Sequence, residues 1–379
     1  MMLSNRTKTY NDEVKILALS DLHLGHRKTT CDQIIDSFYK TITPSILKDI
    51  NFFFIAGDLF DRHLALGSTE ALEIHAFLGY LIKSAYKYDF ELRILEGTPS
   101  HDWRQGKLIE SLKATLSVKD NRVKYTDVMC IEDHPYLGNI LYIPDEWDTN
   151  TQAIEDGVRK LLMDNGLDSV DWIIMHGQFD FQPPFMVQNK HFAEFYSYIC
   201  EQYVICGHIH SPTQNANILI PGSFDRLCHN EEHPKGCWLI TQRKNDRIEF
   251  IENEYAKTYT TLDISGLNPE NVIEHCQNKL KDVKNGSHVR FKCKKEDSVV
   301  SSIDALKQRF TQFNCTHKLE GSMSRSLEAI EDIRSRSFSV QITSDNVTIL
   351  VDEKIDELTQ DKALKSKSLD ILDRYRYGL

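Results

Sequence analysis

Aspartate and histidine recur in short clusters through the first 210 residues. They are Asp21-Leu22-His23, Gly57-Asp58-Leu59-Phe60-Asp61, Gly97-Thr98-Pro99-Ser100-His101-Asp102, His176-Gly177 and Gly207-His208-Ile209-His210. A lone Asp after a strand usually caps a helix or forms a turn, and a lone His usually satisfies a backbone carbonyl. Five such placements in one chain point instead to a metal centre. Carboxylates mixed with imidazoles, with no nearby cysteine pair, suit Mn²⁺, Fe or Zn²⁺, whereas an all-oxygen set would suit Mg²⁺. Two cations about 3.5–4 Å apart need a bridging carboxylate to offset their repulsion, and Asp58, preceded by Gly57, is the best candidate. The glycines at 57, 97, 177 and 207 let the backbone come close without a Cβ clash.

Each cluster directly follows a short apolar run with the composition of a strand buried on both faces. Val14–Ser20 precedes Asp21, Phe52–Ala56 precedes Gly57, and Leu92–Leu95 precedes Gly97. Trp172–Met175 precedes His176, and Tyr203–Cys206 precedes Gly207. Ile218–Ile220 and Cys237–Ile240 are further apolar runs, and Thr30–Lys48 and Thr69–Tyr86 carry helical spacing. Strands alternating with helices indicate an α/β architecture whose sites lie at the C-terminal ends of the strands.

The polar stretch Arg243–Asn253 marks a boundary, after which a β-α-β-α-β pattern runs to about Leu319. Its elements are a strand at Tyr259–Ile264, a helix from Asn268-Pro269 to about Val283, a strand at His288–Cys293, a helix at Ser298–Phe310 and a strand at Cys315–Leu319. The expected domains are thus 1–245, 246–321 and 322–379, the last a linker and charged amphipathic helix. Net charge is −11, yet Lys284–Lys318 holds eight Lys/Arg against three acids, +5 locally and −16 elsewhere. That stripe, with Lys292, Lys294, Lys295 and Arg309, is either a track for a phosphate backbone or a solvated face.

Nine scattered cysteines without a C-x-x-C argue against a disulfide framework and a zinc ribbon. No uncharged apolar run reaches the ~18–20 residues that span a bilayer, so no membrane association is expected. The polar N-terminus lacks a signal-peptide core, and a cytoplasmic location is expected. No G-x-x-x-x-G-K-[ST] loop occurs, so nucleotide hydrolysis is not expected from this chain.

The ordered motifs Asp-x-His, Gly-Asp-x-x-Asp, His-Asp, His-Gly and Gly-His-x-His resemble the calcineurin-like metallophosphoesterase superfamily. With Pro221-Gly222-Ser223, Glu231-Glu232 and Lys235-Gly236 added, the chain is similar to the SbcD branch, the nuclease subunit of double-strand-break repair complexes. The layout after residue 254 is most similar to the T-even phage type.

The resemblance implies a two-sheet sandwich flanked by helices, then a small α/β capping domain that contacts DNA and a C-terminal helical segment. It implies two divalent metal ions, Mn foremost with Mg, Fe or Zn as alternatives. Asp21, His23, Asp58 and His210 would hold one, and Asp58, Ser100, His176 and His208 the other. His101 would sit over the scissile phosphate, with Asp102 orienting its imidazole. In the chain Ser100 stands where the family has an Asn ligand, and a hydroxyl is a weaker neutral ligand than an amide. Asp61 stands where the nuclease branch often has His.

The implied activity is Mn-dependent DNA exonuclease or endonuclease action in a repair and recombination complex. The implied partners are DNA, an SbcC-like coiled-coil ATPase and a second copy of the chain, in a heterotetramer within the host cytoplasm if phage-encoded. The charged tail from Val347 would dock on the ATPase. Leu72, Ile74, Phe77, Leu78 and Leu81 offer either a dimer contact or a core face. Two other readings stay open: a phosphatase or cyclic-nucleotide phosphodiesterase, and a pseudo-enzyme scaffold.

Overall fold

The computed structural model describes residues 13–65, 67–118, 120–145, 150–183, 190–242 and 246–320. The expected tail helices, 322–379, lie outside the described residues.

Fifteen strands are formed among these residues. They are β1 (Val14–Leu19), β2 (Phe52–Ala56), β3 (Glu91–Leu95), β4 (Val123–Thr126), β5 (Cys130–His134), β6 (Gly138–Ile143), β7 (Val170–His176) and β8 (Cys200–Gly207). Then follow β9 (Thr213–Asn215), β10 (Ile218–Ile220), β11 (Gly236–Gln242), β12 (Arg247–Glu252), β13 (Tyr259–Asp263), β14 (His288–Lys294) and β15 (Asn314–Glu320). The first sheet has the order β12-β11-β1-β2-β3-β4 and the second β5-β6-β7-β8-β10-β9. Strands β1 to β4 run parallel, as do β6, β7, β8 and β10.

Side chains alternate across a strand, so each apolar run supplies two cores. Phe52 and Phe54 face the second sheet and pack in one cluster with Ile16, Ala18, Tyr142, Trp172, Ile174 and Ile205. Phe53 and Ile55 point the other way, with Leu17 and Leu19, against Ile34, Phe38, Ile74, Phe77 and Leu81 of the covering helices. On the far side Ile173, Met175, Val204 and Cys206 meet Ile154 and Val158 of helix Thr151–Asp164. The result is the expected sandwich of two sheets flanked by helices.

Some local expectations change. Thr30–Lys48 forms two helices, Cys31–Thr41 and Pro44–Asp49. Pro44 cannot continue the first and opens the second, where its missing N–H costs nothing. In helix Thr69–Tyr88, Ile74, Phe77, Leu78 and Leu81 are fully buried in the domain's own core. Only Leu72, 65% exposed, is left for any external contact. The polar stretch Arg243–Asn253 includes an edge strand, β12, paired with β11.

β13, β14 and β15 form a separate parallel sheet. Val289, Phe291 and Cys293 point to helices Val272–Leu280 and Ile303–Arg309, where Cys276, Leu280, Ile303 and Leu306 close a fourth core. Residues Ser298–Ser302, expected as helix, form a 3₁₀ turn leading into the second of these helices.

Candidate metal centre

All the clusters lie at or just past the C-terminal ends of parallel strands, β1, β2, β3, β7 and β8. The β1 and β2 loops run side by side: Asp21 N donates to Gly57 O, His23 N to Asp58 O and Leu24 N to Leu59 O, each at 3.0 Å. This course needs left-handed backbone at Asp21 (φ 53°), His23 (φ 49°) and Asp58 (φ 48°), a conformation that costs L-residues energy and concentrates at functional sites.

Glycine is required where the loops meet. A Cβ on Gly57 would come within 2.2 Å of His176 Nδ1, and one on Gly97 within 2.0 Å of the Asp58 nitrogen. A Cβ on Gly207 would lie 2.1 Å from Ala56 O. These glycines let the loops and the His176 ring pack against one another.

Two overlapping donor groups result. Asp21, His23 and His210 place ligand atoms within 4.8 Å of one another, as do Asp58, His176 and His208. His23 Nε2 and His210 Nε2 face each other at 3.1 Å, and Asp21 Oδ1 is 4.0 and 3.9 Å from them. Asp58 joins both groups, with Oδ2 3.7 Å from His23 Nε2 and Oδ1 3.3 Å from His176 Nε2. All of Asp21, His23, Asp58 and His176 are buried. A third grouping sets His101 within the same reach of His23 and Asp58.

The imidazoles are held from behind. His176 Nδ1 donates to Ala56 O at 2.8 Å, which turns Nε2 toward Asp58. His210 Nδ1 lies 2.8 Å from Glu231 Oε1. Glu231 Oε2 accepts from Lys235 Nζ at 2.9 Å, and that fully buried ammonium also donates to His210 O and Ser223 Oγ. The Pro221-Gly222-Ser223, Glu231 and Lys235 segment therefore buttresses the His210 loop. Asp21 accepts the His208 N–H on both carboxylate oxygens, at 3.0 and 3.1 Å.

The electrostatics follow from this crowding. Burial favours protonation of Asp58, but His176, His23 and His101 outweigh it and hold the carboxyl below its ordinary range. Burial opposes charge on His176, yet Asp58, Asp21 and Asp145 raise it well above the usual imidazole value. In Glu231, burial is outweighed by His210 and Lys235, and the carboxyl is depressed.

Two expected site residues stand apart from the donor groups. Ser100 enters neither group: Pro99 opens a helical turn, Pro99–Asp102, that leaves Ser100 exposed with its carbonyl accepting from Trp103 Nε1. The hydroxyl among the second group belongs to Thr98, 3.2 Å from Asp58 Oδ2, 3.3 Å from His176 Nε2 and 3.4 Å from His208 Nδ1. Asp102 does not orient His101; its buried carboxylate accepts from Phe60 N at 2.8 Å and Gly97 N at 2.6 Å, tying two loops together. Burial, Asp58 and Glu96 raise the Asp102 carboxyl well above its ordinary value. The imidazole of His101 is held by Asp61, whose carbonyl accepts from Nδ1 at 2.7 Å.

The basic residues divide as well. Lys292 and Lys294 lie on the open face of the third sheet, with Lys292 Nζ 3.5 Å from Asp263 and 3.3 Å from Glu320. Arg309 is exposed on the helical layer, across the sheet from them, and Lys295 follows the end of β14. They do not form one patch.

The profile of the calcineurin-like phosphoesterase family matches residues 14–212. The chain belongs to that family. A crystal structure of TT1561 of Thermus thermophilus is similar at 11% identity, over 63% of this chain and 99% of that one, with a TM-score of 0.38. A second crystal structure is similar at 12% identity over the same shares, with a TM-score of 0.37. No curated protein sequence matches.

Membership makes this chain a metal-dependent phosphoesterase, and the donors fit that requirement. Buried carboxylate oxygens and imidazole nitrogens converge without a thiol, His23 turning Nε2 to this group while its Nδ1 lies 3.3 Å from Asp61 Oδ1. Such a set suits divalent cations of intermediate hardness. Among the described residues no helix is long and apolar enough to cross a membrane.

Proposed function

We propose that this phosphoesterase is the Mn-dependent nuclease subunit of an SbcCD-like DNA repair and recombination complex. The observation that carries the reading is the pair of donor groups sharing Asp58 with His101 beside them, in a chain that continues into a sheet with a basic open face. Asp21, His23, Asp58 and His210 hold one ion, and Asp58, His176 and His208 share the other. When bound, the ions supply Lewis acidity toward a phosphodiester.

The chain's own groups do the rest. His101, with Nδ1–H fixed on Asp61 O, presents its remaining ring nitrogen to the leaving oxygen as a hydrogen-bond or proton donor. The third sheet contacts loops neighbouring the centre through Thr29 Oγ1, 3.1 Å from Tyr259 OH, and through Arg290, whose Nη2 donates to Asn230 Oδ1 at 2.7 Å. Its open face carries Lys292, Lys294 and Lys318, suited to a phosphate backbone. Residues 322–379 dock on a coiled-coil ATPase, and the chain acts as a homodimer within that assembly.

A phosphatase or cyclic-nucleotide phosphodiesterase would use the same centre but leaves the third sheet without a task. The deciding assay is purified protein with Mn²⁺ on double-stranded DNA, single-stranded DNA and a generic phosphate ester. Cleavage confined to the ester would overturn the nuclease reading, and no hydrolysis of any substrate would leave a scaffold. Removal of residues 323–379 should spare Mn²⁺-dependent cleavage of short DNA and abolish co-purification with the ATPase. Unchanged co-purification would place docking elsewhere.

A further inference from the structure

The two donor groups are unequal. The first combines Asp21 and the shared Asp58 with His23 and His210, two carboxylates and two imidazoles. The second has His176 and His208 but only the shared Asp58, with a threonine hydroxyl between them. A hydroxyl brings no charge and is a poor donor to a divalent cation compared with a carboxylate or amide oxygen.

A carboxylate stands beside this weaker group. Asp145 lies two residues past the end of β6, the second-sheet strand adjoining β7, which carries His176. Its Oδ2 is 4.0 Å from His208 Nδ1, the ring nitrogen that is 3.4 Å from Thr98 Oγ1. Asp145 thus stands at the edge of the second group, beside His208 and on the side where His208 meets Thr98. With it, each group has two carboxylates and two imidazoles.

We infer that Asp145 is an oxygen ligand of the second ion, supplying the charge and donor strength that the Thr98 hydroxyl lacks. The inference rests on the two-ion reading of the centre. It assigns a metal role to a residue that follows a strand outside the five that deliver the other donors.

The test is Mn²⁺ titration of the full chain by calorimetry and by Mn²⁺ electron paramagnetic resonance, with circular dichroism of the metal-free proteins to verify folding. The wild type should bind two ions; one ion or none would sink the two-ion reading itself. With two bound, Asp145→Ala should weaken one by at least about tenfold and leave the other within about twofold. Asp145→Asn, which keeps an oxygen but no charge, should fall between. Thr98→Asn in the Asp145→Ala background should recover affinity for the weakened ion. Wild-type affinity for both ions in Asp145→Ala, or equal weakening of both, overturns the assignment. Failure of Thr98→Asn to recover any affinity overturns the compensation between the two positions.

Discussion

The carbonyl oxygen of Asp61 accepts a hydrogen bond from His101 Nδ1 at 2.7 Å, while the carboxylate of the same residue lies 3.3 Å from His23 Nδ1. One residue thus orients a candidate metal ligand and the candidate proton donor. Because the bond to His101 comes from the main chain, changing the Asp61 side chain should disturb His23 more than His101. His101→Ala should keep Mn²⁺ binding and lose roughly 10²–10⁴-fold in hydrolysis. Asp58→Ala should lose Mn²⁺ binding. Calorimetric titration beside a hydrolysis assay separates the two, and equal metal loss in both variants would make His101 a ligand instead.

Asp102 has a structural task. Asp102→Ala leaves the N–H groups of Phe60 and Gly97 unpaired in a buried place, at about 1–3 kcal/mol each. Chemical denaturation of the metal-free protein should show a loss of about 2–6 kcal/mol, against little change for the partly exposed His101→Ala. Full stability with lost hydrolysis would restore a direct role for Asp102.

The third sheet predicts an uneven charge map. Lys294→Glu and Lys318→Glu, on the open face, should weaken DNA binding and lower its salt dependence by about one counterion each. Lys292→Gln should matter less, since its ammonium is shared between Asp263 and Glu320. Arg309→Glu, on the helical layer, should leave binding unchanged. Salt-dependent fluorescence anisotropy with labelled duplex measures all four. Equal losses would mean that DNA wraps both layers.

His191 provides a pH dependence. It is buried against Tyr196 OH at 2.9 Å, and burial, with His208 nearby, pushes its imidazole down to about 4. The unfolded chain therefore takes up this proton first as pH falls below the ordinary imidazole value near 6.5. Its contribution to stability is full above that value and declines as pH falls from about 6.5 to about 4, by about 1.4 kcal/mol per unit. His191→Gln should flatten the denaturation midpoint over that interval. An unchanged slope would show that other groups carry it.

Much of this architecture is readable from residues alone, and the parts that are not have physical causes. VKILAL and FFFIA stand out because strands covered on both faces are apolar throughout. VKYT and CIEDH, β4 and β5, do not stand out, because these outer strands are half polar and one carries Glu132 to pair with Arg93. The donors in repeated motifs could be found by type and position. Thr98 escapes such a reading because the spacing to His101 does not reveal that Pro99 starts a turn, which rotates Ser100 outward. Asp145 stands alone after an apolar strand, where a turn former is the ordinary expectation. The basic stripe merges two faces because adjacent charges in sequence alternate in or out only once strand and helix are assigned.

The position of β1 bears on how the chain is made. β1 lies between β2 and β11, with Val14 paired to Gln242. During synthesis at roughly 5–20 residues per second, the first strand waits on the order of 10–50 s for its second neighbour to leave the ribosome. Until then one edge of a strongly apolar strand lacks its pairing partner, and the Asp21 loop lacks the His208 N–H that its carboxylate accepts. The nascent chain should therefore depend on chaperone protection over that interval, and a ribosome stalled before residue 236 should display a protease-sensitive N-terminal half.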